Sequence, residues 1–311
     1  MAEFTLRQLE LFAALPDYST LSAAAAALHI SEPALSQSIT ALEKSVGEQL
    51  CVRRKAKGLQ LTPAGQFFAA RARRLLKDAG ELGSELAGIN GRLKGPVRLG
   101  CYTGLATNVL PPVLEGFPAL HPGVTLGIEV GSQDELLAAL DTGRLDAAIV
   151  YGLQLPPGLQ YRTIYDTEVV AILAADHRLA GEAAVDLAEL APEPLIMLES
   201  TPSTANTRLM FAERGLRPNL LMSVPVIELV RALVGRGLGY SLLMSRPNSQ
   251  DTTTEGRRVV ARPLAPRSGI TAVQAVWPEA VLPSPRTAAV LDYAAACFAG
   301  PGSSLPLADK T

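Results

Sequence analysis

Residues 20 to 62, TLSAAAAALHISEPALSQSITALEKSVGEQLCVRRKAKGLQLT, leave few ways for the chain to fold. Two short helical patterns meet at His29-Ile30, where a tight turn is required. Ser31 is placed to cap the backbone N–H groups of the second helix, and Pro33 falls in its first turn, where a missing N–H costs nothing. Leu35, Ile39 and Leu42 then recur at i, i+4 and i+7, so they share one buried stripe. Pro33, Ser36, Gln37, Thr40 and Lys44 fall on the other side. A polar outer face is what any solvated helix shows, but here an Ala-rich helix precedes it and the basic run Arg53, Arg54, Lys55, Lys57 follows. Gly58 turns that run into Leu59-Gln60-Leu61, a compact hairpin. This is the layout of a winged helix-turn-helix. A capped helix with small and polar outer residues fits a major groove, and a basic wing beside it supplies phosphate contacts. The residues expected at DNA are therefore Ser31, Pro33, Ser36, Gln37, Thr40, Arg53, Arg54, Lys55 and Lys57.

The run LSAAAAALHISEPALSQSITALEKSVGEQL, followed by LQLTPAG, resembles the N-terminal signature of LysR-type transcriptional regulators. Against the family pattern, Glu32 stands where Gln is usual, Gln37 and Thr40 stand where Arg is frequent, and Cys51 replaces a common Phe. Ser31 to Leu42 consequently carries no positive charge, which shifts the expected electrostatics onto Arg53, Arg54 and the wing lysines. The resemblance continues through GPVRLG, FPALHPGVTLGIEVGSQDELLAALDTGRLDAAIV, VVAILAADHRLAG and LVGRGLGYSLL, covering nearly the whole chain. It implies a multidomain α+β protein: a winged helix-turn-helix, a long linker helix, then two α/β subdomains resembling type 2 periplasmic binding proteins. On that mapping the DNA-binding domain is residues 1–62 and the linker and dimerisation helix 63–94. The effector domain is 95–302, with one subdomain at 96–164 and 268–300 and the other at 165–267, and 303–311 forms a flexible tail. The resemblance also implies homodimers and homotetramers, promoter DNA and a small-molecule effector as partners, and RNA polymerase as a further partner if the output is activation.

The rest of the chain is consistent with that layout. Thr5 to Leu15 reads as a first helix capped by Thr5, with Leu6, Leu9 and Phe12 facing inward. Thr62-Pro63 starts another, in which Ala72, Ala79, Leu86 and Leu93 alternate with Leu75, Leu82 and Ile89 in a seven-residue repeat. A helix of that length has little domain to lie on, which favours a dimer seam over packing within one domain. Gly95-Pro96 is expected to stop it and begin a linker. VRLGCY, VTLGIEV and DAAIVYG read as buried strands, with helices at Leu105 to Phe117 and Asp134 to Asp141 between them, implying a parallel sheet covered on both faces. EVVAILAAD, PLIML, NLLMSV and GYSLLM repeat the theme in a second sheet. ITAVQAVW and the helix from Ser284 to Phe298 come after that set and are placed to return to the first subdomain.

Charge distribution agrees with a nucleic-acid partner at one end. The net charge is only −2, yet up to Leu75 basic residues outnumber acidic ones, leaving the remainder net acidic. Glu3, Arg7 and Glu10 interrupt the N-terminus, so it lacks a signal-peptide core, and no apolar run reaches the roughly 18 to 20 residues of a membrane span. A cytoplasmic protein is expected. Cys51, Cys101 and Cys297 are scattered, without CxxC spacing, so neither a metal site nor a disulfide framework is indicated. No cofactor is called for. His29, His121 and His177 lack HExxH spacing, there is no GxSxG elbow, and GRGLG at 235–239 lacks nucleotide-fingerprint spacing, so no catalytic residues are assigned.

Ligands of open α/β sheets sit beyond the carboxyl ends of strands, where helix N-termini offer free N–H groups. The polar stretches Tyr102-Thr103-Gly104, Gly131-Ser132-Gln133 and Ser200 to Thr204 each follow a strand. Tyr102, Thr103, Ser132, Thr201 and Ser203 are the candidate effector residues, and their hydroxyls suit a carboxylate metabolite. Each is also a plausible helix cap. Glu199 would repel an anion there, so either the ligand carries an amine or hydroxyl or Glu199 points away. Two alternatives stand beside the regulator: a metabolite-binding protein or enzyme whose N-terminal module only mediates assembly, and a thiol-based redox regulator using Cys101.

Overall fold

The computed structural model describes residues 4–54, 58–88, 93–247 and 251–299. α1 (Leu6–Ala13) starts at Thr5 with a capping box in which Thr5 and Gln8 satisfy each other's backbone N–H groups. Leu9, Leu11 and Phe12 are buried, whereas Leu6, the first helical residue, is 52 % exposed, because among the described residues it joins neither apolar cluster of this domain. α2 (Leu21–Ala27) and α3 (Glu32–Val46) are capped by Thr20 and Ser31. Between them His29 has a φ of 54°, and this left-handed residue reverses the chain. Leu35, Ile39 and Leu42 enter one core with Phe12, Leu15 and Ala24. β1 (Cys51–Arg54) pairs antiparallel with β2 (Gly58–Leu61), setting Arg53 opposite Leu59 and Arg54 opposite Gly58. Lys55 and Lys57 lie outside the described residues.

α4 (Pro63–Gly88) opens at Thr62, whose hydroxyl accepts the Gly65 N–H at 3.0 Å. The seven-residue repeat divides between two surroundings. Ala72 packs with Leu9 and Ala13 of α1, so its position is taken by the helix's own domain, while Leu75 remains 50 % exposed and Phe67, outside the repeat, 65 % exposed. Ile89 is outside the described residues, and Leu93 is not helical. Gly95 and Pro96 do not form a linker. They open β3 (Gly95–Tyr102) and pair with Val124 and Thr125, and the missing N–H of Pro96 is harmless because the neighbour on the other side reaches only Leu99 to Cys101.

After β3 come α5 (Thr103–Leu120), β4 (Val124–Gly131), α6 (Gln133–Asp141) and β5 (Ala147–Tyr151). β6 (Leu159–Ala174) is followed by β7 (Val185–Asp186), α7 (Leu187–Leu190), β8 (Pro194–Leu198), α8 (Ser203–Glu213) and β9 (Asn219–Val224). α9 (Ile227–Gly235), β10 (Ser241–Met244), β11 (Val259–Ala265), β12 (Ile270–Pro278) and α10 (Pro285–Ala296) complete the order. β4, β3 and β5 are parallel, but β12 adds antiparallel to β5, so the first sheet is mixed and not parallel throughout. β6 belongs to both lobes: its first half pairs with β12, its second with β10 and β11. β8 and β9 extend the second lobe, joined to Tyr240 beside β10 by a bridge at Leu195. The first lobe has its own core around Leu99, Leu105, Ile149 and Val290, and the second is built on Leu173, Leu195, Phe211 and Tyr240.

Polar contacts join α4 to both of its neighbours. Arg73 donates to the Ala13 carbonyl at 2.8 Å and to Asp17 at 2.9 Å. One residue on, Arg74 donates to the Asp141 carbonyl at the end of α6, at 2.7 Å. Lys77 Nζ lies 2.5 Å from Asp146, whose other oxygen accepts the Arg98 N–H of β3 at 2.6 Å. Among the described residues no helix is long and apolar enough to cross a membrane.

Candidate nucleic-acid interface and ligand cleft

Burial of Leu35, Ile39 and Leu42 turns the opposite side of α3 outward. Ser31, Pro33, Gln37, Thr40 and Lys44 are exposed there, and Ser36 is half-buried. Ser31 Oγ accepts the Ala34 N–H at 3.3 Å and Thr40 Oγ1 donates to the Ser36 carbonyl at 3.0 Å. Ser31 therefore caps the helix, Thr40 bonds back onto the preceding turn, and both hydroxyls still have acceptor capacity outward. Gln37 brings an amide that matches the donor and acceptor pair on adenine's major-groove edge. β1, which ends in Arg53 and Arg54, follows α3 in the chain. Its start is fixed by a residue that sequence reasoning missed: Glu43 Oε1 accepts the N–H groups of Leu50 at 2.8 Å and Cys51 at 3.0 Å. An acid one residue past the buried Leu42 was the available signal. β2 is tied to the start of α2 by the Leu59 N–H, which donates to the Ser19 carbonyl at 3.0 Å.

The second site is a narrow cleft between the two lobes. Tyr102, at the end of β3, and Tyr151, at the end of β5, line it from one lobe with ring centroids 5.5 Å apart. Gly104 makes this possible, since a Cβ there would stand 2.6 Å from the Tyr102 ring. Ser203, Asn206 and Thr207 of α8 face them from the other lobe, with Leu198, Ile227 and Leu243 supplying apolar wall. Tyr102 Oη and Ser200 Oγ are 2.6 Å apart, a hydrogen bond that spans the lobes. Of the five residues expected around a ligand, Tyr102 and Ser203 are brought together. The Thr103 hydroxyl is engaged by the Gly131 carbonyl at 3.1 Å, and Ser132 is engaged in a capping box with Glu135. Thr201 is exposed in the turn before α8, and Glu199 is exposed and absent from the cleft lining. Asn206 and Thr207 were not legible in sequence, because they lie one turn into a helix whose start gives no sign of which face meets the other lobe.

Capping separates the helices that meet this cleft from the others. α1, α2, α3, α4, α6, α7 and α10 each have a side-chain oxygen accepting a first-turn N–H. α5, α8 and α9 have none, their N-cap residues being Tyr102, Pro202 and Val226. Each of these three contributes a first-turn residue to the lining, Gly104, Ser203 and Ile227. The first turns of these three helices, the positive ends of their dipoles, thus border the cleft.

A winged helix-turn-helix whose linker helix leads into a two-lobed domain with a cleft between the lobes is the architecture of a ligand-responsive DNA-binding regulator. Residues 6–66 match the bacterial regulatory helix-turn-helix of the lysR family, and residues 90–298 match the LysR substrate binding domain. The chain belongs to the LysR family of bacterial transcriptional regulators. It is 31 % identical over 85 % of its length to a protein of Mycobacterium avium named "Probable hydrogen peroxide-inducible genes activator", 85 % of which is covered. Among solved structures, HinK, a LysR family regulator of Pseudomonas aeruginosa, is similar with a TM-score of 0.62 at 33 % identity, covering 95 % of this chain and 99 % of HinK. A full-length OxyR variant from Pseudomonas aeruginosa gives a TM-score of 0.72 at 25 % identity, over 94 % of this chain and 97 % of OxyR.

Proposed function

We propose that this regulator binds double-stranded promoter DNA as a homodimer or homotetramer, and that a carboxylate metabolite held in the cleft changes how the subunits engage the promoter. The exposed face of α3 reads bases, and Arg53 and Arg54, with Lys55 and Lys57 beyond them, neutralise phosphates. Convergence of the three uncapped helices α5, α8 and α9 on one cleft is the observation that carries the effector class. Tyr102, Ser203, Asn206 and Thr207 contact the ligand, while Thr103, Ser132 and Thr201 act from outside the lining. The protein works in the cytoplasm, performs no catalysis of its own and, like the relatives named as activators, raises transcription through RNA polymerase.

A thiol-based peroxide response through Cys101 is disfavoured. Its side chain is fully buried, and burial pushes its pKa up to about 12, so the reactive thiolate is scarce.

The reading is tested on the DNA flanking the protein's own gene, by mobility shift across a salt series with wild type and an Arg53→Ala, Arg54→Ala double variant. The wild type is expected to bind selectively, with log affinity falling by about 0.9 per log salt for each phosphate contact, and the variant to show a shallower slope. A panel of carboxylate metabolites is then screened for a change in footprint. Failure of a genome-wide selection to return any preferred sequence would overturn the promoter reading, and a panel in which only neutral or cationic compounds act would overturn the effector class.

A further inference from the structure

The cleft wall continues beyond its lining residues toward the hinge. β10 and β6 run antiparallel with Met244 opposite Val169, and both of these residues line the cleft. The pairing persists past β10: the Ser245 N–H donates to the Glu168 carbonyl at 2.8 Å, and Thr167 Oγ1 donates to the Ser245 carbonyl at 2.8 Å. Extending that register sets Arg246 opposite Thr167, on the same face of the ladder as Val169 and Tyr165. Asn108 of α5 donates to the Pro247 carbonyl at 2.9 Å, which holds the segment against the first lobe as well.

Arg246 is only 11 % exposed, and the carboxylate it faces, Glu228, lies 3.8 Å from its Nη1, beyond ordinary hydrogen-bond reach. Glu228 is also 3.9 Å from Arg231, so two largely buried guanidinium groups share one half-exposed carboxylate. Asp251 also acts on Arg231. Arg246 Nη2 is buried without a hydrogen-bond partner among the described residues, and so is the hydroxyl of Tyr165, a residue 9 % exposed. Buried donors are ordinarily paired, and an orphan costs roughly 1 to 3 kcal/mol. The strand register sets Tyr165 diagonally across from Arg246, and the Arg246 charge favours the ionised phenol of both Tyr165 and the cleft-lining Tyr151, against the larger opposing effect of burial.

We propose that Arg246 and Tyr165 form the anion-recognition end of the cleft, where a ligand carboxylate accepts one hydrogen bond from Arg246 Nη2 and one from Tyr165 Oη. The body of the ligand then lies among Val169, Leu243 and Met244. This rests on reading the cleft as the effector site. A cationic ligand would meet Arg246 and Arg231, and a neutral amide, although Tyr165 Oη could accept its N–H, would lack the charge that strengthens the bond to Arg246. A carboxylate satisfies both donors.

The test uses the full-length chain, with benzoate as an apolar carboxylate probe and benzamide as its neutral counterpart, titrated calorimetrically at matched ionic strength. Wild type is expected to hold benzoate about 10-fold more tightly than benzamide, as charge-assisted hydrogen bonds predict. Arg246→Gln should abolish that preference, and Tyr165→Phe should weaken benzoate by about 10-fold to 100-fold, as for one lost hydrogen bond to a charged group. Unchanged melting temperature and promoter binding establish that both variants fold. The proposal is overturned by equal affinity for the two probes in wild type, by a preference that survives Arg246→Gln, or by no saturable benzoate binding. A Ser203→Phe variant, which fills the cleft, separates the premises: if it leaves Arg246-dependent benzoate binding intact, the anion site stands outside the cleft and this proposal fails, while the effector reading of the cleft stands or falls with the footprint screen.

Discussion

Gly65 determines how α4 sits on the wing. A Cβ at that position would lie 1.8 Å from the Leu50 carbonyl oxygen, and because the obstacle is backbone it cannot rotate away. Gly65→Ala is therefore expected to destabilise the N-terminal domain by about 1–3 kcal/mol, the ordinary range for overpacking. Gly80→Ala, on the same helix but with nothing within 4 Å of the new Cβ, should be neutral or gain up to about 1 kcal/mol from helix propensity. Denaturant melts of the two variants provide the comparison, and equal stability would show that α4 can shift freely on Leu50. Cys101 makes a separate prediction through pH. Its folded-state pKa is about 12 against an ordinary 9.0, so above pH 9 the unfolded chain gives up a proton that the folded chain keeps. Stability must then fall as pH rises from about 9 toward 12, and Cys101→Ala should flatten that part of the curve. At pH 8 the native thiol should resist alkylation, whereas half-exposed Cys297 should react first.

At the scale of elements, α4 shows why a periodic pattern is an incomplete instruction. Ala72 fits both a seam between helices and a contact with α1, since a small apolar residue packs equally well in either, and the fold uses it for α1. Phe67 and Leu75 are left outside, and they are the residues on which a second α4 would close. Changing both to Asp is expected to leave the chain folded, because neither is buried within it, but to shift sedimentation toward the monomer. Retained oligomers would move the seam elsewhere. α3 was legible from its cap, its first-turn proline and its stripe because all these signals are local. β6 was legible only in its second half. LQYRTIYDT lacks a continuous apolar run, and it becomes a strand through pairing with β12, more than a hundred residues away. The cleft followed the same rule: Tyr102 and Ser203 lie at strand-to-helix junctions that sequence can locate, while Tyr165 and Arg246 acquire meaning only when β6 and β10 are laid side by side.

In the whole molecule, α4 makes polar contacts with the DNA-binding module on one side and with the ligand-binding lobe on the other. Arg73 grips Ala13 and Asp17 on the DNA side, while Arg74 and Lys77 grip Asp141 and Asp146 on the ligand side. Asp146 in turn receives the Arg98 N–H of β3, the strand that ends at Tyr102. A shift of β3 when the Tyr102 to Ser200 bridge opens therefore has a polar route to the helix that carries the wing. Coupling of this kind is a difference in affinity between two states, and single contacts along such a route change it by about 0.5–2 kcal/mol. Replacing Arg74 and Lys77 together by Met keeps their apolar stems over the same surface and removes the grip. Promoter affinity without ligand should change little, since neither residue belongs to α3 or the wing. The ratio of affinities with and without a carboxylate that alters the wild-type footprint should shrink by about 2-fold to 30-fold, the equivalent of that energy. Titration of the promoter under both conditions measures the ratio directly. If the double variant keeps the full ratio, the signal does not run through α4 of the same chain, and the contact between subunits becomes the place where it must be carried.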